Sequence, residues 1–308
     1  MIHVICPNPA LDRSIFVSSF EPNTIIRPNS VRDVLGGKGF NVIRPFFHLN
    51  YTDYKVHTLL GGYIGHSLQK MISDNQVNVE VTHISENNRV CSIVINENEN
   101  NTYQVYEQGP EIQNEELNIF TQKILDQTKP NDIVIFSGSL PIGVSAEFYK
   151  SLILKLQEKN IKCFLDSSAD ALKCGIQSKP WLVKINDEEF LELIGENKDY
   201  SEDDMISFIK QYSLTNNLIV TLGSKGIIAK FDDVIYKVDQ PKIKAINPIA
   251  SGDIFLGILA KKLTDKADLE ETLIEACSYS LSNCLHWYPN IDSKEIQYFI
   301  NEIKIKQI

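Results

Sequence analysis

An aspartate stands where an anion is expected to dock. The stretch Ala250-Ser251-Gly252-Asp253 follows Pro248 and runs straight into Ile254-Phe255-Leu256-Gly257-Ile258-Leu259. Small residues let a backbone approach a ligand closely, and the first N–H groups of a helix have no intrahelical partner. Such an end attracts phosphate, which the acid Asp253 would repel. Its presence makes chemical sense if it takes a proton from a group attacking that anion. A first-turn acid that only complements the helix dipole would have the same local sequence.

Other stretches could serve the same chemistry. Gly36-Gly37-Lys38-Gly39-Phe40-Asn41 is a glycine-rich turn before a helix, with Lys38 and Asn41 as donors. It fails the P-loop spacing, because Gly39 follows the lysine. Asn186 and Glu189 lie three apart on one helical face. That amide and carboxylate suit a Mg²⁺ ion held through water, or simply a capped surface helix. Thr221-Leu222-Gly223-Ser224-Lys225-Gly226 is a glycine turn after a buried strand, open to a nucleotide or to a plain hairpin. Ser137-Gly138-Ser139-Leu140-Pro141 contains no G-x-S-x-G elbow. The six histidines show no metal-ligand spacing and are expected in the core or on the surface. All five arginines (Arg13, Arg27, Arg32, Arg44, Arg89) fall in the first third of the chain. Guanidinium groups favour bidentate phosphate recognition, so that third is a candidate for an anionic substrate.

The positioning elements follow from periodicity. Short apolar runs at His3–Ile5, Val56–Leu60, Ile133–Phe136, Lys162–Leu165, Trp181–Lys184 and Leu218–Leu222 read as buried strands. Helical patterns alternate with them: Phe40–Leu49, with Pro45 tolerable only near its start, then Ile64–Ser73, Leu117–Leu125 and Glu147–Gln157. Further helices are expected near 187–195, 202–212, 252–264, 269–285 and 293–304, and strands at Gly226–Lys230 and Val234–Val238. This rhythm predicts an α/β fold whose parallel sheet is covered on both faces. Segments of about 13–34 and 90–107 break it. The second reads as a hairpin with a polar tip at 96–101, and the two predict a small separate sheet inserted into a single 1–308 domain. Ligands gather at the carboxyl ends of strands in such sheets.

Composition narrows the function. The chain has 308 residues, 43% hydrophobic and 23% charged, which is ordinary for a globular protein. Its net charge of −10 argues against a generic nucleic-acid or anionic-membrane binder. No run approaches the roughly 18 apolar residues of a membrane span. No basic leader precedes residue 7, and the six cysteines form no C-x-x-C pair. A cytoplasmic protein with reduced cysteines is the expectation.

The order of these stretches resembles the PfkB (ribokinase-like) carbohydrate kinase family, in its 1-phosphofructokinase and tagatose-6-phosphate kinase branch. The matching residues are Asn8 to Asp12, Gly36 to Asn41, Glu107-x-Gly109-Pro110-Glu111, Ser137 to Pro141, Asp166-Ser167-Ser168, Asn186-x-x-Glu189, Thr221-x-Gly223-x-x-Gly226, Ala250 to Asp253, and Asn283. The resemblance implies a ribokinase-like three-layer α/β/α domain with a β lid that pairs with the lid of a second subunit. It implies ATP and Mg²⁺, and a ketohexose monophosphate as substrate, with fructose 1-phosphate ranked just ahead of tagatose 6-phosphate. Asp253 would be the base, with the backbone N–H groups of Ala250, Ser251 and Gly252 around the transferring phosphoryl. Asp12, Gly37, Asn41 and Ser139 would contact the sugar. Lys38, Arg89 and Arg27 would bind its phosphate, Arg27 from the neighbouring subunit. Asn186 and Glu189 would organise Mg²⁺; Asn186, Thr221, Gly223, Gly226 and Asn283 would hold the nucleotide. Three residues depart from the family pattern: Ala250 for a glycine, Ile185 where proline is frequent, and Pro45. A non-catalytic binder of the same fold is the alternative that Ala250 raises.

Overall fold

The computed structural model describes residues 1–99, 101–196, 199–288 and 290–308. Seven strands run parallel at the centre: β1 (Ile2–Cys6), β4 (Tyr54–Leu60), β5 (Val79–His83), β8 (Ile133–Ser137), β9 (Lys162–Asp166), β10 (Leu182–Asn186) and β11 (Asn217–Thr221). Three antiparallel strands, β12 (Ile227–Phe231), β13 (Val234–Asp239) and β14 (Lys304–Gln307), extend one edge. The sheet order is β14-β13-β12-β11-β10-β9-β8-β1-β4-β5. The chain leaves β1 toward β4 and β5, then crosses back to β8 on the other side. That reversal opens a crevice at the carboxyl ends of β1 and β8.

Unbroken apolar runs make both faces of the sheet sticky, and alternation divides them. Ile133 and Ile135 pack into one core, while Val134 and Phe136 pack into the other. The first core takes α1 (Lys38–Val42), α2 (Arg44–His48), α3 (Gly62–Asp74), α9 (Ser251–Thr264), α10 (Leu269–Cys284) and α11 (Ser293–Glu302). The second takes α4 (Asn114–Gln127), α5 (Phe148–Gln157), α6 (Ala169–Gly175), α7 (Asp187–Ile194) and α8 (Glu202–Gln211). The expected three layers are present.

The small sheet is present as well, in the order β3-β2-β6-β7. Its strands are β2 (Ala10–Val17), β3 (Ser30–Gly36), β6 (Arg89–Asn96) and β7 (Asn101–Tyr106). One apolar cluster, Phe16, Ile93 and Ile95, rests on Ile249, Trp287 and Tyr288 of the main body. Residue 100, in the expected hairpin tip, lies outside the described residues.

Pro45 explains the main departure in the helices. The single helix expected over 40–49 is two short ones, with Ile43 ending α1 and Pro45 in the first turn of α2. The break lets α9 cross closely. A Cβ on Gly257 would lie 2.0 Å from the Val42 carbonyl oxygen and 3.1 Å from the Pro45 ring. Helix α9 itself is buried nearly all round, with Ile254, Leu256, Ile258 and Leu259 fully covered. Such a helix is held by packing on every side, so the acid at its start is rigidly placed. Strands β5 and β14 and helix α6 were not anticipated, because each is short and half polar.

Candidate active site

Asp253 is buried in the first turn of α9, and its Oδ2 accepts a hydrogen bond from Asn41 Nδ2 at 2.9 Å. Burial pushes its carboxyl up to about 6. Lys38, Lys184 and the Asn41 amide pull it down, and Asp166 pushes it further up. A carboxyl with such a value has the right range for general-base work near neutrality. Asp12 lies over Gly36, where a Cβ would meet its carboxyl carbon at 2.1 Å. Burial raises Asp12 to about 6 as well, against the opposing pull of Arg44 and Arg89.

A second cluster was only partly foreseen. Asp166, fully buried at the end of β9, accepts from Lys38 Nζ at 2.8 Å and from Lys184 Nζ at 3.0 Å. Burial alone would raise the Asp166 carboxyl, but the two ammonium groups hold it below the ordinary range. Burial would likewise lower Lys38, yet Asp166, Asp253 and Glu189 raise it. Lys184 reaches the anion turn, since a Cβ on Gly252 would stand 2.6 Å from its Nζ. A side chain at 252 would push that ammonium away from the turn. The sequence offered a signal for Lys184, because it interrupts the apolar strand Leu182–Asn186. Buried lysines are rare without a partner.

At the turn itself Ala250 has φ 69 and ψ −8, a left-handed conformation that alanine adopts at a cost of about 1–2 kcal/mol. The turn therefore keeps the backbone a glycine would take. Of the three expected phosphoryl donors, the N–H of Ser251 already turns toward the Pro248 carbonyl at 3.3 Å. Ala250→Gly is expected to stabilise the fold by about 1 kcal/mol in urea denaturation, after the entropy of a free glycine is deducted, and to leave turnover within about twofold. A loss of stability would show that the strain is relieved elsewhere.

The residues expected to hold the nucleotide come together only in part. Thr221, Gly223, Gly226, Ser251, Gly252 and Phe255 are among the residues lining a cavity of about 280 Å³ that ends at the anion turn. Gly226 (φ 96) is obligatory, because a Cβ would lie 2.1 Å from the Val238 carbonyl oxygen. Asn283 does not line this cavity. Its Nδ2 donates to the Ile249 carbonyl (2.9 Å) and Ser251 Oγ (3.0 Å), so it braces the turn from behind. Asn186 and Glu189 form a reciprocal capping box on α7 (2.7 and 2.9 Å), which leaves one carboxylate oxygen of Glu189 outside the cap. Among the described residues no three His, Cys, Asp or Glu side chains converge for direct chelation. The oxygen-only donor set fits a Mg²⁺ ion that keeps most of its water.

Among the residues expected to contact the sugar phosphate, Arg89 donates from Nη1 to the Glu107 carbonyl (3.1 Å) and from Nη2 to the Asn8 carbonyl (3.0 Å). Its Nε is buried without a partner. Asn8 Nδ2 reaches Ser139 Oγ at 3.3 Å, and Gly37 (φ 102) opens α1. Arg27 is exposed in the connection between β2 and β3, and no hydrogen bond or ion pair joins it to the cluster among the described residues.

Residues 8–285 match the pfkB family carbohydrate kinase. The chain belongs to the pfkB family of carbohydrate kinases. It is a sugar kinase, a phosphotransferase. Its fold is similar to that of phosphofructokinase-2 from Escherichia coli, solved in complex with potassium. The two share 24% identity over 97% of this chain and 98% of that one, with a TM-score of 0.90. A structure from Thermotoga maritima described as a possible 1-phosphofructokinase shares 18% identity over 100% and 99% of the two chains, TM-score 0.84. Ribokinase from the same organism shares 17% over 98% and 99%, TM-score 0.75. The ribokinase-like fold of this kinase is thus the expected one. Among its described residues no helix is long and apolar enough to cross a membrane.

Proposed function

We propose that this pfkB family kinase uses ATP and Mg²⁺ to add a second phosphate to a ketohexose monophosphate, with fructose 1-phosphate as first choice. The observation that carries the reading is the continuity of the site. The cavity bounded by Thr221, Gly223 and Gly226 ends at Gly252, one residue before a buried acid that faces Asn41. In this reading the Asp253 carboxylate accepts the proton of a sugar hydroxyl. The oxygen bonds to the γ-phosphorus as the bond to the nucleotide's bridging oxygen breaks, and ADP leaves. Asp12 and Asn41 orient the sugar, while Lys184 and the turn at 250–252 counter the charge that moves. A Mg²⁺ ion beside Asn186 and Glu189 would neutralise phosphate charge on the nucleotide.

A phosphorylated sugar is favoured chiefly by Arg89, whose Nε is buried without a partner, and less by Lys38, which Asp166 already holds at 2.8 Å. Asn8 to Asp12 followed by Arg13 leans toward fructose 1-phosphate; Asn88-Arg89-Val90-Cys91 and Asn247-Pro248 lean toward tagatose 6-phosphate. Arg13 carries less of that weight, since Asp33 holds it at 2.7 and 2.8 Å. A non-catalytic binder is disfavoured by the intact turn at Ala250. The small sheet is proposed to act as a lid and as a homodimer contact. Its edge strands expose Val31, Val105 and Tyr106, and Ile25 is 84% exposed nearby. A monomer mass by sedimentation at micromolar concentration would count against that contact.

An ADP-release assay over fructose 1-phosphate, tagatose 6-phosphate, fructose 6-phosphate and unphosphorylated sugars tests the reading. Fructose 1-phosphate is expected to give the highest kcat/KM. No ADP above background with any of them, despite measurable nucleotide binding, would sink the kinase assignment for this site.

A further inference from the structure

We propose that Arg44 is a positioning residue for the base: it fixes which end of the Asn41 amide faces Asp253. The inference rests on the proposed role of Asp253. An asparagine amide has two ends of nearly equal size and opposite polarity. If the oxygen faced the Asp253 carboxylate, two acceptors would meet in a buried site. If the nitrogen faces it, a hydrogen bond forms. Arg44 decides between them because a guanidinium can only donate. Its Nε donates to Asn41 Oδ1 at 2.8 Å, which commits Asn41 Nδ2 to Asp253 at 2.9 Å.

Arg44 is itself fixed. Its Nη2 donates to the Leu35 carbonyl at 2.8 Å, next to Gly36, over which Asp12 lies. The planar fork therefore spans β3 and α1 from the first residue of α2, and one lysine nitrogen could not reproduce both contacts in that geometry. The outer side of Arg44 borders a cavity of about 530 Å³, walled by Val34, Phe47 and Tyr288.

The charge matters as well as the shape. Asp253 is faced by Lys38 of α1, Lys184 of β10, Asp166 of β9, Asp12 of β2 and Arg44 of α2. Asp12 is faced by Arg44, Arg89, Asp253 and the N–H of Gly37. Arg44 is thus a cation shared by both acids, and removing it makes each easier to protonate.

The test compares Arg44→Met, Arg44→Lys, Asn41→Ala and the double variant Asn41→Ala/Arg44→Lys. The readouts are kcat, the pH profile of kcat/KM, and nucleotide affinity as a control of folding. Arg44→Met is expected to lower kcat about tenfold or more and to move the acid limb up by about one pH unit. Arg44→Lys should keep the limb near its original place while kcat stays about tenfold low. If Arg44 acts through Asn41, the double variant loses little beyond Asn41→Ala. That comparison holds even if Arg44→Met does not fold. Full rescue of kcat by lysine, or additive losses in the double variant, would overturn the orienting role. Asp253→Asn separates this inference from the reading beneath it. If that variant keeps its turnover, the base assignment falls. If it collapses while Arg44→Lys behaves as the unmodified enzyme, only the role of Arg44 falls.

Discussion

Asp253→Asn is expected to lower kcat by ~10²-fold or more and, at neutral pH, to make the protein more stable. The carboxylate is the proposed proton acceptor, so its amide leaves the sugar hydroxyl without a base. The amide oxygen can still accept from Asn41, so the local packing survives. Stability moves the opposite way because burial raises the folded-state value to about 6. The unfolded value is ~3.9, so the folded state binds the proton more tightly. Native stability from this group is therefore present below about pH 4 and is lost as pH rises through about 6. Removing the charge recovers at most roughly 3 kcal/mol above that pH. The unmodified enzyme should lose kcat/KM about tenfold per pH unit below about 6. Steady-state kinetics and urea denaturation at pH 5 and 7.5 check both halves. Unchanged turnover would refute the role of Asp253, and a large loss of stability would refute the cost of its burial.

Asp166→Asn is expected to destabilise the fold by about 3 kcal/mol. Removing one partner of a buried ion pair costs ~3–5 kcal/mol, because the other charge is left unpaired. Here two charges are left, Lys38 and Lys184, with side chains 38% and 7% exposed. The water on Lys38 sets the estimate at the lower end. The sign with pH differs from that of Asp253. Asp166 is held below the ordinary carboxylate range by the two lysines. Its contribution is present above ~3.9 and is lost as pH falls through the lower folded value. The penalty of the variant should thus be full at pH 7 and shrink toward pH 3. A change under ~1 kcal/mol at pH 7 would show that the lysines find other partners. The variant also frees Lys184 from the position it holds against Gly252, so kcat should fall with stability.

The two variants have different legibility in the sequence. Asp253 was visible because its neighbours are local: small residues, a helix start and an acid occupy consecutive positions. The same holds for Gly36 to Asn41 and Thr221 to Gly226, where the turn and its donors lie within one short segment. The three-layer arrangement was also legible, since runs such as Ile133–Ser137 bury both faces and demand cover on each. The partners of Asp166 were not. Lys38 and Lys184 come from elements 128 and 18 residues away, and no local pattern announces a pairing made across a sheet. His3 and His57 meet at 2.9 Å for the same reason, on neighbouring strands whose register the sequence leaves open.

Asn283 and Ala250 show where local reading stops. The resemblance placed Asn283 among the residues that would hold the nucleotide, and the fold shows what its amide does in the protein itself: it braces the turn at Ile249 and Ser251. The direction of a side chain on α10 depends on how that helix packs against α9, which is a tertiary matter. Ala250 posed a question about φ that the residue type could not answer, and the fold answers it with 69°.

The sequence by itself determined the parallel α/β plan and the family, and it singled out the small-residue turn at 250–252, Asp253 and the glycine turn at 221–226, to which the proposed function assigns the phosphoryl site, the base and the nucleotide. Each of these is written in periodicity or in a few adjacent residues. Only the tertiary structure decided the electrostatics: which lysines neutralise Asp166, how far burial lifts Asp12 and Asp253, and that Arg44 reaches Asp253 through Asn41. Those quantities depend on distance and desolvation between segments far apart in the chain, and neither is encoded in spacing along it.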